Sequence, residues 1–480
     1  MNKICYFATI CLAGILAASC DDKLVIDHVN EADYANVTEL LAGLSDAGGR
    51  TSTVVDLHKK AWNTAVKVDL GRAPRKGVDM EVAFDPSYLE AYNKEHGTSF
   101  ELFPEDHLTL ADGGRIVIAP DEKTSYCIGL EIQPLGTEDY VNDKTYLLPL
   151  KLTTSTEGVR IPEQSGHCVY LVKNLAGMIS ADKSERYGDD YVRTVVYYEI
   201  GDTNPLNTLC CELETGELFM DYIILFAANI KFDQTKGELV ILKNGAIQFY
   251  LDHYDQTIKP LRERGVKVLM GLLGADGPAG LAQLSDVGCK DFAKKIADMC
   301  YSYNLDGVNF DDEYSGSPDL SNPLFAPRSA ERGSKLMFET KKAMPDKVVC
   351  TYQYGQCTGT NSVDGIDIAE WMDFIVADYG RTVNLYGSLT KKDVSGYSFH
   401  IHNGAGNESR ARSIVSNGYG YCMMWSPWAS QYAPALGNHY HSFNQFNAIC
   451  KGLYGVGLKT PTQYWVKSDD IAVATTPVAF

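Results

Sequence analysis

The stretch DGVNFDDE, residues 306–313, carries four acidic residues in a pattern otherwise typical of a buried strand. Side chains alternate along a strand, so the odd-numbered residues share one face, namely Gly307, Asn309, Asp311 and Glu313. The other face carries Val308 and Phe310, which we expect to pack outward, together with Asp312. Unpaired carboxylates cost several kcal/mol when they are desolvated. We therefore interpret Asp311 and Glu313 as functional rather than structural.

The sequence on either side of this stretch predicts a (β/α)8 barrel over residues 191–480. Apolar strand candidates alternate with helical segments, which favours parallel β-structure. The eight strand candidates are RTVVYYEI, DYIILFAANI, VKVLMGLLG, LDGVNFDDE, KVVCTYQYG, DFIVADYG, GYSFHIHN and GYGYCMMWSPW. Helices are predicted over 246–264, 289–304, 330–344, 407–417 and 438–453. The acids of DGVNFDDE then lie at the carboxyl end of the fourth strand, where sites in this fold are found.

Residues 21–175 predict a separate all-β domain. Short alternating runs are separated by Gly, Pro, Asn and Asp, as in a β-sandwich. The runs are TVVDL, AVKVDL, VDMEVAF, GRIVIAP, YCIGLEI, YLLPLKL and HCVYLVK, with one helical insertion at PSYLEAYNKEHGTS. Residues 176–190 are polar and predict a linker before the barrel.

Residues 1–20 are interpreted as a secretory signal. Lys3 precedes an apolar run that is too short to span a membrane and ends at Ser19-Cys20. This end resembles a bacterial lipobox, which implies lipidation of Cys20. Asp21 and Asp22 resemble a surface-export signal, so we expect a lipid-anchored outer-membrane protein facing the cell surface. An ordinary cleaved signal with a periplasmic product is the alternative.

Charge and cysteine usage exclude several classes of function. With 43 basic and 62 acidic residues the net charge is −19, which disfavours nucleic acid and anionic membrane surfaces as partners. Ten of the 13 cysteines lie beyond residue 20, and none is part of a CxxC pair or a Cys/His metal spacing. We expect mostly free thiols, with one or two disulfides possible, and no cofactor.

The two carboxyls at the strand end suit acid–base chemistry. Like charges two residues apart, about 6 to 7 Å, raise each other's pKa. One carboxyl then stays protonated near neutral pH, as a general acid requires.

DGVNFDDE resembles the D-G-x-D-x-D-x-E signature of glycoside hydrolase family 18, from which Asn309 departs. The segments LFAANIKFD, KVLMGLLG and MPDKVVCTYQYG are similar to strands of H- and F-type endoglycosidases. The domain before the barrel resembles the immunoglobulin-like module of gut-bacterial surface lipoproteins. The family resemblance implies substrate-assisted retaining hydrolysis. Glu313 would be the acid and base, and Asp311 would orient the substrate's acetamide and stabilise the oxazolinium ion.

In chitinases an Asp occupies the position of Asn309, which here can donate a hydrogen bond to Asp311 but cannot share its charge. Other strand ends supply substrate-binding candidates: Tyr352, Gln353, Asp378, Tyr379, Trp425 and Asn229. Glu199 is either a site-lining residue or half of a buried structural pair. His400 and His402 share a strand face, but no third metal ligand is evident.

These patterns together predict an endo-β-N-acetylglucosaminidase that cuts the GlcNAc-β1,4-GlcNAc core of N-linked glycans. A chitinase of the same family and a non-catalytic glycan-binding lipoprotein are the alternatives. We expect a monomer that contacts the membrane only through its lipid anchor, with outer-membrane glycan-uptake proteins as possible partners.

Overall fold

The computed structural model describes residues 40–136, 144–381, 383–427 and 435–479. The chain divides into two compact units between Gly177 and Met178. No helix among the described residues is long and apolar enough to cross a membrane. Cys20 and the rest of the predicted signal lie outside the described residues.

The first unit is a sandwich of two sheets, as predicted. One sheet has the spatial order Val159–Arg160, Leu40–Asp46, Trp62–Leu70, Ile128–Ile132 and Leu108–Leu110. The other has the order Ser52–Leu57, His167–Asn174, Thr145–Thr154, Val78–Phe84 and Arg115–Ile118, and Glu101–Leu102 pairs with Thr145–Thr154. Alternate side chains from both sheets fill one core, including Val66, Val68, Leu148 and Leu150. Burial of these apolar faces stabilises the unit.

Two local features of the sandwich test the sequence interpretation. The predicted helix is present as Tyr88–His96 and ends at Gly97, whose φ of 65° suits a residue without a Cβ. The strand Leu40–Asp46 was not predicted. Its sequence, LLAGLSD, contains no β-branched residue, and it is recognised as a strand only by its pairing with Trp62–Leu70.

The second unit is a parallel eight-stranded barrel. Its strands are β1 (Arg193–Glu199), β2 (Tyr222–Asp233), β3 (Lys267–Leu273), β4 (Gly307–Phe310), β5 (Val348–Gln353), β6 (Phe374–Ala377), β7 (Ser395–His400) and β8 (Tyr421–Trp425). Neighbours in sequence pair in space from β1 to β6, β7 pairs with β8, and β8 pairs with β1. An isolated bridge between Ile375 and Val394, with an Ala377 N–H bond to Ser395 Oγ, brings β6 and β7 together.

The predicted helix over 246–264 is wrong as a single element. The structure has three short helices there, Gly245–Asp252, Tyr254–Thr257 and Lys259–Arg262. Pro260 cannot donate the backbone hydrogen bond that a helix interior needs, so it is confined to the first turn of the last helix. The other four predicted helices are present as Asp286–Ser302, Ala330–Ala343, Glu408–Ser416 and Ala435–Tyr454.

Shorter elements complete the barrel unit. Side chains of Ser285, Ser329 and Asn407 accept a backbone N–H at the start of their helices. Three loops contain 3-10 turns, Pro205–Cys210, Ile368–Glu370 and Lys391–Asp393. The remaining elements are the helices Ser184–Tyr187 and Ile471–Thr475 and the strands Glu238–Leu242, Ser362–Val363, Ile366–Asp367, Gln463–Tyr464 and Val478–Ala479.

The polar stretch predicted as a linker belongs in large part to the barrel unit. Lys183 is fully buried, and its ammonium group donates to Asp221 Oδ1 at 2.9 Å and to the Ala181 carbonyl. The Tyr191 hydroxyl donates to the same Asp221 oxygen at 2.6 Å. A buried carboxylate needs such partners, so the segment from Met178 onward supports the start of β1 and β2.

This pairing predicts where the barrel can be separated from the sandwich. A fragment of residues 178–480 should fold cooperatively and keep its activity, because the unit has its own core. A fragment starting at residue 191 should be less stable by on the order of 3–5 kcal/mol, because it leaves Asp221 buried without its cation. Thermal unfolding of the two fragments checks this, with Lys183→Ala in the longer fragment as the matched control. Equal stability of all three proteins would contradict it.

Candidate active site

Neighbouring strands hold β4 at both edges. Asn309 lies opposite Gly271 of β3 and Cys350 of β5. A Cβ on Gly307 would lie 2.1 Å from the Val348 carbonyl oxygen, so a side chain there would force β4 and β5 apart. Asp306, just before β4, is structural. Its carboxylate accepts from Arg262 Nε at 2.9 Å and from the Val268 N–H at 2.9 Å.

The predicted partition of faces is confirmed along β4. Asn309 faces the interior beside Cys350, and the fully buried Val308 and Phe310 lie on the other face. Asp312 also lies on that outer side, where Arg328 pairs with it. The strand itself ends at Phe310, and the Glu313 N–H bonds to the Asp311 carbonyl at 3.0 Å. The chain therefore turns between Asp311 and Glu313 instead of continuing as a strand.

Asp311 is a buried carboxyl without a counter-charge. It is 4% exposed, and its Oδ1 has no hydrogen-bond partner within the part of the chain that the structure describes. Burial, followed by the charges of Glu313, Asp312 and Asp378, raises the pKa of Asp311 to about 8. Asp311 is therefore neutral at pH 7 in the free protein.

Glu313 lies at the edge of the same site and is only partly buried. Burial and then the charge of Asp378 raise the pKa of its carboxyl. No lysine, arginine or histidine among the described residues forms an ion pair with Asp311 or Glu313. The expected rise in pKa is present for both carboxyls, but burial is its largest cause in each. The Glu313 charge contributes to the raised pKa of Asp311, whereas the charge that contributes at Glu313 is that of Asp378.

The hydrogen bond expected from Asn309 to Asp311 is absent from the described contacts. The fully buried Asn309 instead directs Nδ2 at Cys350 Sγ, 3.4 Å away. The register between β4 and β5 explains this, because Cys350 lies directly across from Asn309, one layer below Asp311. Asn309 therefore lies beneath the carboxyl pair and does not hydrogen-bond to it.

Two tyrosines and Asp378 form the wall beside Asp311. The Tyr352 hydroxyl donates to Asp378 Oδ1 at 2.5 Å, and the Tyr379 N–H donates to the same oxygen at 2.7 Å. Arg381 Nε lies 3.2 Å from Asp378 Oδ2. Burial and then the charge of Asp311 raise the pKa of the Tyr379 hydroxyl. Tyr352, Asp378 and Tyr379 thus lie together at the carboxyl ends of β5 and β6, as predicted.

Trp425 closes the opposite side of the barrel mouth. Its ring packs edge-on against Phe226, with centroids 4.7 Å apart, and contacts Tyr197 at 5.7 Å. Asn229 lies at the mouth but supports a loop, because its Nδ2 donates to the Gly274 carbonyl at 2.5 Å. This contact holds the loop after β3.

Gln353 was predicted to bind substrate, and the structure corrects this. It alternates with Tyr352 along β5, so it lies on the face away from the barrel interior. Its amide nitrogen, Nε2, donates to the Thr358 and Asn384 carbonyls, and its Oε1 accepts from the Asn384 N–H at 2.9 Å. Gln353 therefore joins two loops.

Two residues that the sequence interpretation did not place in the site, His400 and Tyr314, are found there, and Glu199, which it left open, lies there too. His400 pairs in register with Trp425, and its ring lies 5.2 Å from that of Tyr379. Alternation along β7 could have revealed it. Tyr314 follows Glu313 and is 60% exposed. Glu199 ends β1, and no described residue forms an ion pair with it, so the alternative of a buried structural pair is not supported. Burial raises the pKa of Glu199.

Comparison with known proteins agrees with this geometry. A family model for an N-terminal domain matches residues 34–159. Endo-beta-N-acetylglucosaminidase F1 of Elizabethkingia meningoseptica is 33% identical over 276 residues, which cover 55% of this chain and 78% of that protein. An endo-beta-N-acetylglucosaminidase of a Flavobacterium species is 27% identical over 48% of this chain and 74% of its own length.

A protein of known structure is similar to this chain over most of its length. EndoBT-3987 of Bacteroides thetaiotamicron, crystallised with a Man5GlcNAc product, is 38% identical with a TM-score of 0.61. The match covers 91% of this chain and 99% of that one. A second structure of the same protein contains a Man9GlcNAc2Asn substrate. The fold and site define a glycoside hydrolase of family 18, and the chain belongs to the endo-β-N-acetylglucosaminidases of that family.

The burial of Asp311 predicts a pH-dependent cost to stability. Its carboxyl keeps a proton up to about pH 8 when folded but ionises near pH 4 when unfolded. The unfolded state therefore binds fewer protons between these values, and stability falls as the pH rises through this window. Asp311→Asn removes this cost, so its melting temperature should match that of wild type near pH 4 and exceed it at pH 8. Parallel melting curves of the two proteins that keep the same separation at both pH values would contradict the assignment.

Proposed function

We propose that this protein hydrolyses the GlcNAc-β1,4-GlcNAc core linkage of N-linked glycans by a substrate-assisted, retaining mechanism. The observation that carries the proposal is the presence of two carboxyls without a cation partner among the described residues, the buried Asp311 and the more accessible Glu313, at the mouth of the barrel. The pH-dependent cost predicted above means that the two carboxyls have little value for stability. They do provide both groups that the reaction needs.

The first role is that of Asp311, which receives the acetamide of the sugar to be cleaved. A hydrogen bond from the acetamide N–H favours the ionised form of the carboxyl that accepts it. The proton that Asp311 holds in the free enzyme is then released to solvent. Ionised Asp311 orients the acetamide so that its carbonyl oxygen can attack C1, and it stabilises the positive charge of the resulting oxazolinium ion.

The second role is that of Glu313, which carries the proton at the moment of cleavage. Its raised pKa keeps it protonated closer to neutral pH than an ordinary glutamate. Glu313 donates this proton to the glycosidic oxygen as the bond to C1 breaks. It then takes a proton from the water that opens the oxazolinium ion, and the product retains its configuration at C1.

The substrate class is supported by the relatives. EndoBT-3987 was crystallised with a Man9GlcNAc2Asn substrate and, separately, with a Man5GlcNAc product. A substrate with two GlcNAc residues and a product with one are consistent with a cut between the core GlcNAc residues. An acidic mouth built from Glu199, Asp311, Glu313 and Asp378 suits neutral sugars, whose hydroxyls donate to carboxylates. A chitinase of the same family has less support, because the curated relatives are endo-β-N-acetylglucosaminidases. They also argue against a purely glycan-binding protein.

The roles of the two acids predict an order of effects. Glu313→Gln keeps the shape of the site but cannot protonate the leaving oxygen, so release of Man9GlcNAc from Man9GlcNAc2Asn should fall by on the order of 10²- to 10⁴-fold while binding persists. Asp311→Asn should also be slow, yet it should still process a preformed sugar oxazoline, because the step that it impairs has been bypassed. Mass analysis of released sugars measures both effects.

Two variants serve as controls, one at Asn309 below the two carboxyls and one at Gln353, whose side chain joins two loops. Asn309→Asp should shift the pH optimum without abolishing turnover, and Gln353→Ala should alter rate far less than either acid. Chitooligosaccharides serve as the second substrate. Wild-type turnover by the Glu313→Gln protein would refute the assignment of the acid, and faster cleavage of chitooligosaccharides than of N-glycans would favour the chitinase.

We also propose that Cys20 is lipidated and anchors the protein to the outer membrane, on the pattern of residues 1–22. The surface is the expected face, and neighbouring glycan-uptake proteins would be the partners that receive the released sugars. Cys20→Ala should leave the protein unprocessed or soluble, which fractionation and mass analysis of the mature amino terminus would detect. A wild-type protein that is wholly soluble, with no lipid on Cys20, would rule out the anchor.

A further inference from the structure

Asp312 lies between the two proposed catalytic residues and has the contacts that they lack. It is 1% exposed. Its Oδ2 accepts from Arg328 Nη2 at 2.7 Å, from Arg328 Nε at 3.1 Å and from the Gln356 N–H at 2.7 Å. Its Oδ1 accepts from the Ser315 hydroxyl at 3.3 Å. The backbone carbonyl of Asp312 also accepts from Arg328 at 3.3 Å.

These contacts join three separate segments at the carboxyl end of β4. Ser315 belongs to the loop after β4, Gln356 to the loop after β5, and Arg328 immediately precedes the cap of the helix Ala330–Ala343. The approach is close, because a Cβ on Gly355 would lie 2.3 Å from the Asp312 carbonyl oxygen. The chain between Asp311 and Glu313 is therefore fixed at its midpoint.

Asp312 also affects Asp311 through its charge. The Asp312 charge contributes to the raised pKa of Asp311, together with burial, Glu313 and Asp378. The other titratable groups that interact with Asp311 are Tyr197 from β1, Tyr314 from the loop after β4, Tyr352 and Cys357 from β5 and its loop, and Tyr379 from β6. Arg328 partly balances the Asp312 charge from the outer side, where its side chain is 38% exposed.

We propose that Asp312 and Arg328 are a pair of positioning residues for the reaction proposed above, fixing the chain between Asp311 and Glu313 and setting the charge that Asp311 experiences. The inference rests on the proposed roles of Asp311 and Glu313 and assigns neither Asp312 nor Arg328 a contact with substrate. Asp306 and Arg262 form a matched pair at the opposite end of β4, with Arg262 Nε and Nη2 donating at 2.9 and 3.0 Å. That pair holds the strand far from the reacting atoms. A variant of it therefore serves as the control for a purely structural role.

The first measurement follows the titration of Asp311 directly. Full-length protein is labelled with ¹³C at the aspartate carboxyls, and the Asp311 signal is identified by its loss in Asp311→Asn. Asp312→Asn removes a negative charge, so the midpoint should fall by on the order of one pH unit. Arg328→Gln leaves the Asp312 charge unbalanced, so the midpoint should rise. Arg328→Lys keeps the charge and should leave the midpoint unchanged, as should Arg262→Gln.

The second measurement is the pH dependence of kcat and KM on Man9GlcNAc2Asn. Arg328→Lys cannot reproduce the fork of guanidinium bonds. Its kcat should therefore fall by on the order of ten- to a hundredfold, with KM little changed. Arg262→Gln should lower the melting temperature but leave kcat and the pH profile as in wild type.

Opposite shifts for Asp312→Asn and Arg328→Gln support the proposal, because both changes disrupt the contact between these two side chains and a purely structural role would move the midpoint in one direction or not at all. Shifts of the same sign, no shift, or an equal loss of kcat in Arg262→Gln would overturn it. The titration does not require turnover. A wild-type protein that cleaves no glycan would therefore refute the proposed function while the titration still tests the charge of the pair.

Discussion

The site depends on one costly arrangement, a carboxyl group buried inside the barrel without a cation to balance it. Asp311 is 4% exposed, and its pKa of about 8 means that the protein holds a proton there under neutral conditions. Desolvation opposes a charge at this position. A ligand that donates a hydrogen bond to Asp311 changes that balance and makes ionisation favourable. In the proposed mechanism, this constraint couples substrate binding to proton movement.

Most of the other acidic side chains around Asp311 are held by ion pairs or hydrogen bonds. Asp306 is paired with Arg262 at the start of β4, and Asp312 is paired with Arg328 on the outer side. Asp378 is held by the Tyr352 hydroxyl and by Arg381. Only Asp311 and Glu313 of the acidic residues on this stretch lack an ion pair among the described residues. The sequence DGVNFDDE thus contains four acids of two kinds, two that hold the strand through ion pairs and two to which we assign the chemistry in the proposed mechanism.

The fold was predictable from sequence where periodicity carried the information. Eight apolar runs separated by helical segments identified the barrel, and alternation along 306–313 separated Asn309 and Asp311 from Val308 and Phe310. Prediction failed where contacts between segments distant in sequence determine the structure. The strand Leu40–Asp46 has a weak intrinsic preference, and Lys183 is buried because Asp221 is there to receive it.

The same distinction applies to the site. Residue type and position at a strand end identified Asp311, Glu313, Tyr352, Asp378 and Tyr379, which lie together at the mouth. The direction of a side chain was predictable only where alternation was applied strictly. Gln353 was placed in the site despite its outward phase, and His400 was not placed there despite its inward phase. The partner of Asn309 depended on the register between β4 and β5, which periodicity does not specify.

The most direct test of substrate-assisted cleavage alters the substrate's own nucleophile. In a series of N-glycan substrates, the acetamide of the GlcNAc at the cleaved bond would carry one, two or three fluorine atoms on its methyl group. Fluorine withdraws electrons from the carbonyl oxygen and weakens its attack on C1, while Asp311 and Glu313 remain unchanged. The account predicts that kcat falls steeply and progressively with each added fluorine. A kcat that is independent of fluorination would contradict it, because a protein carboxylate or water would then be the nucleophile.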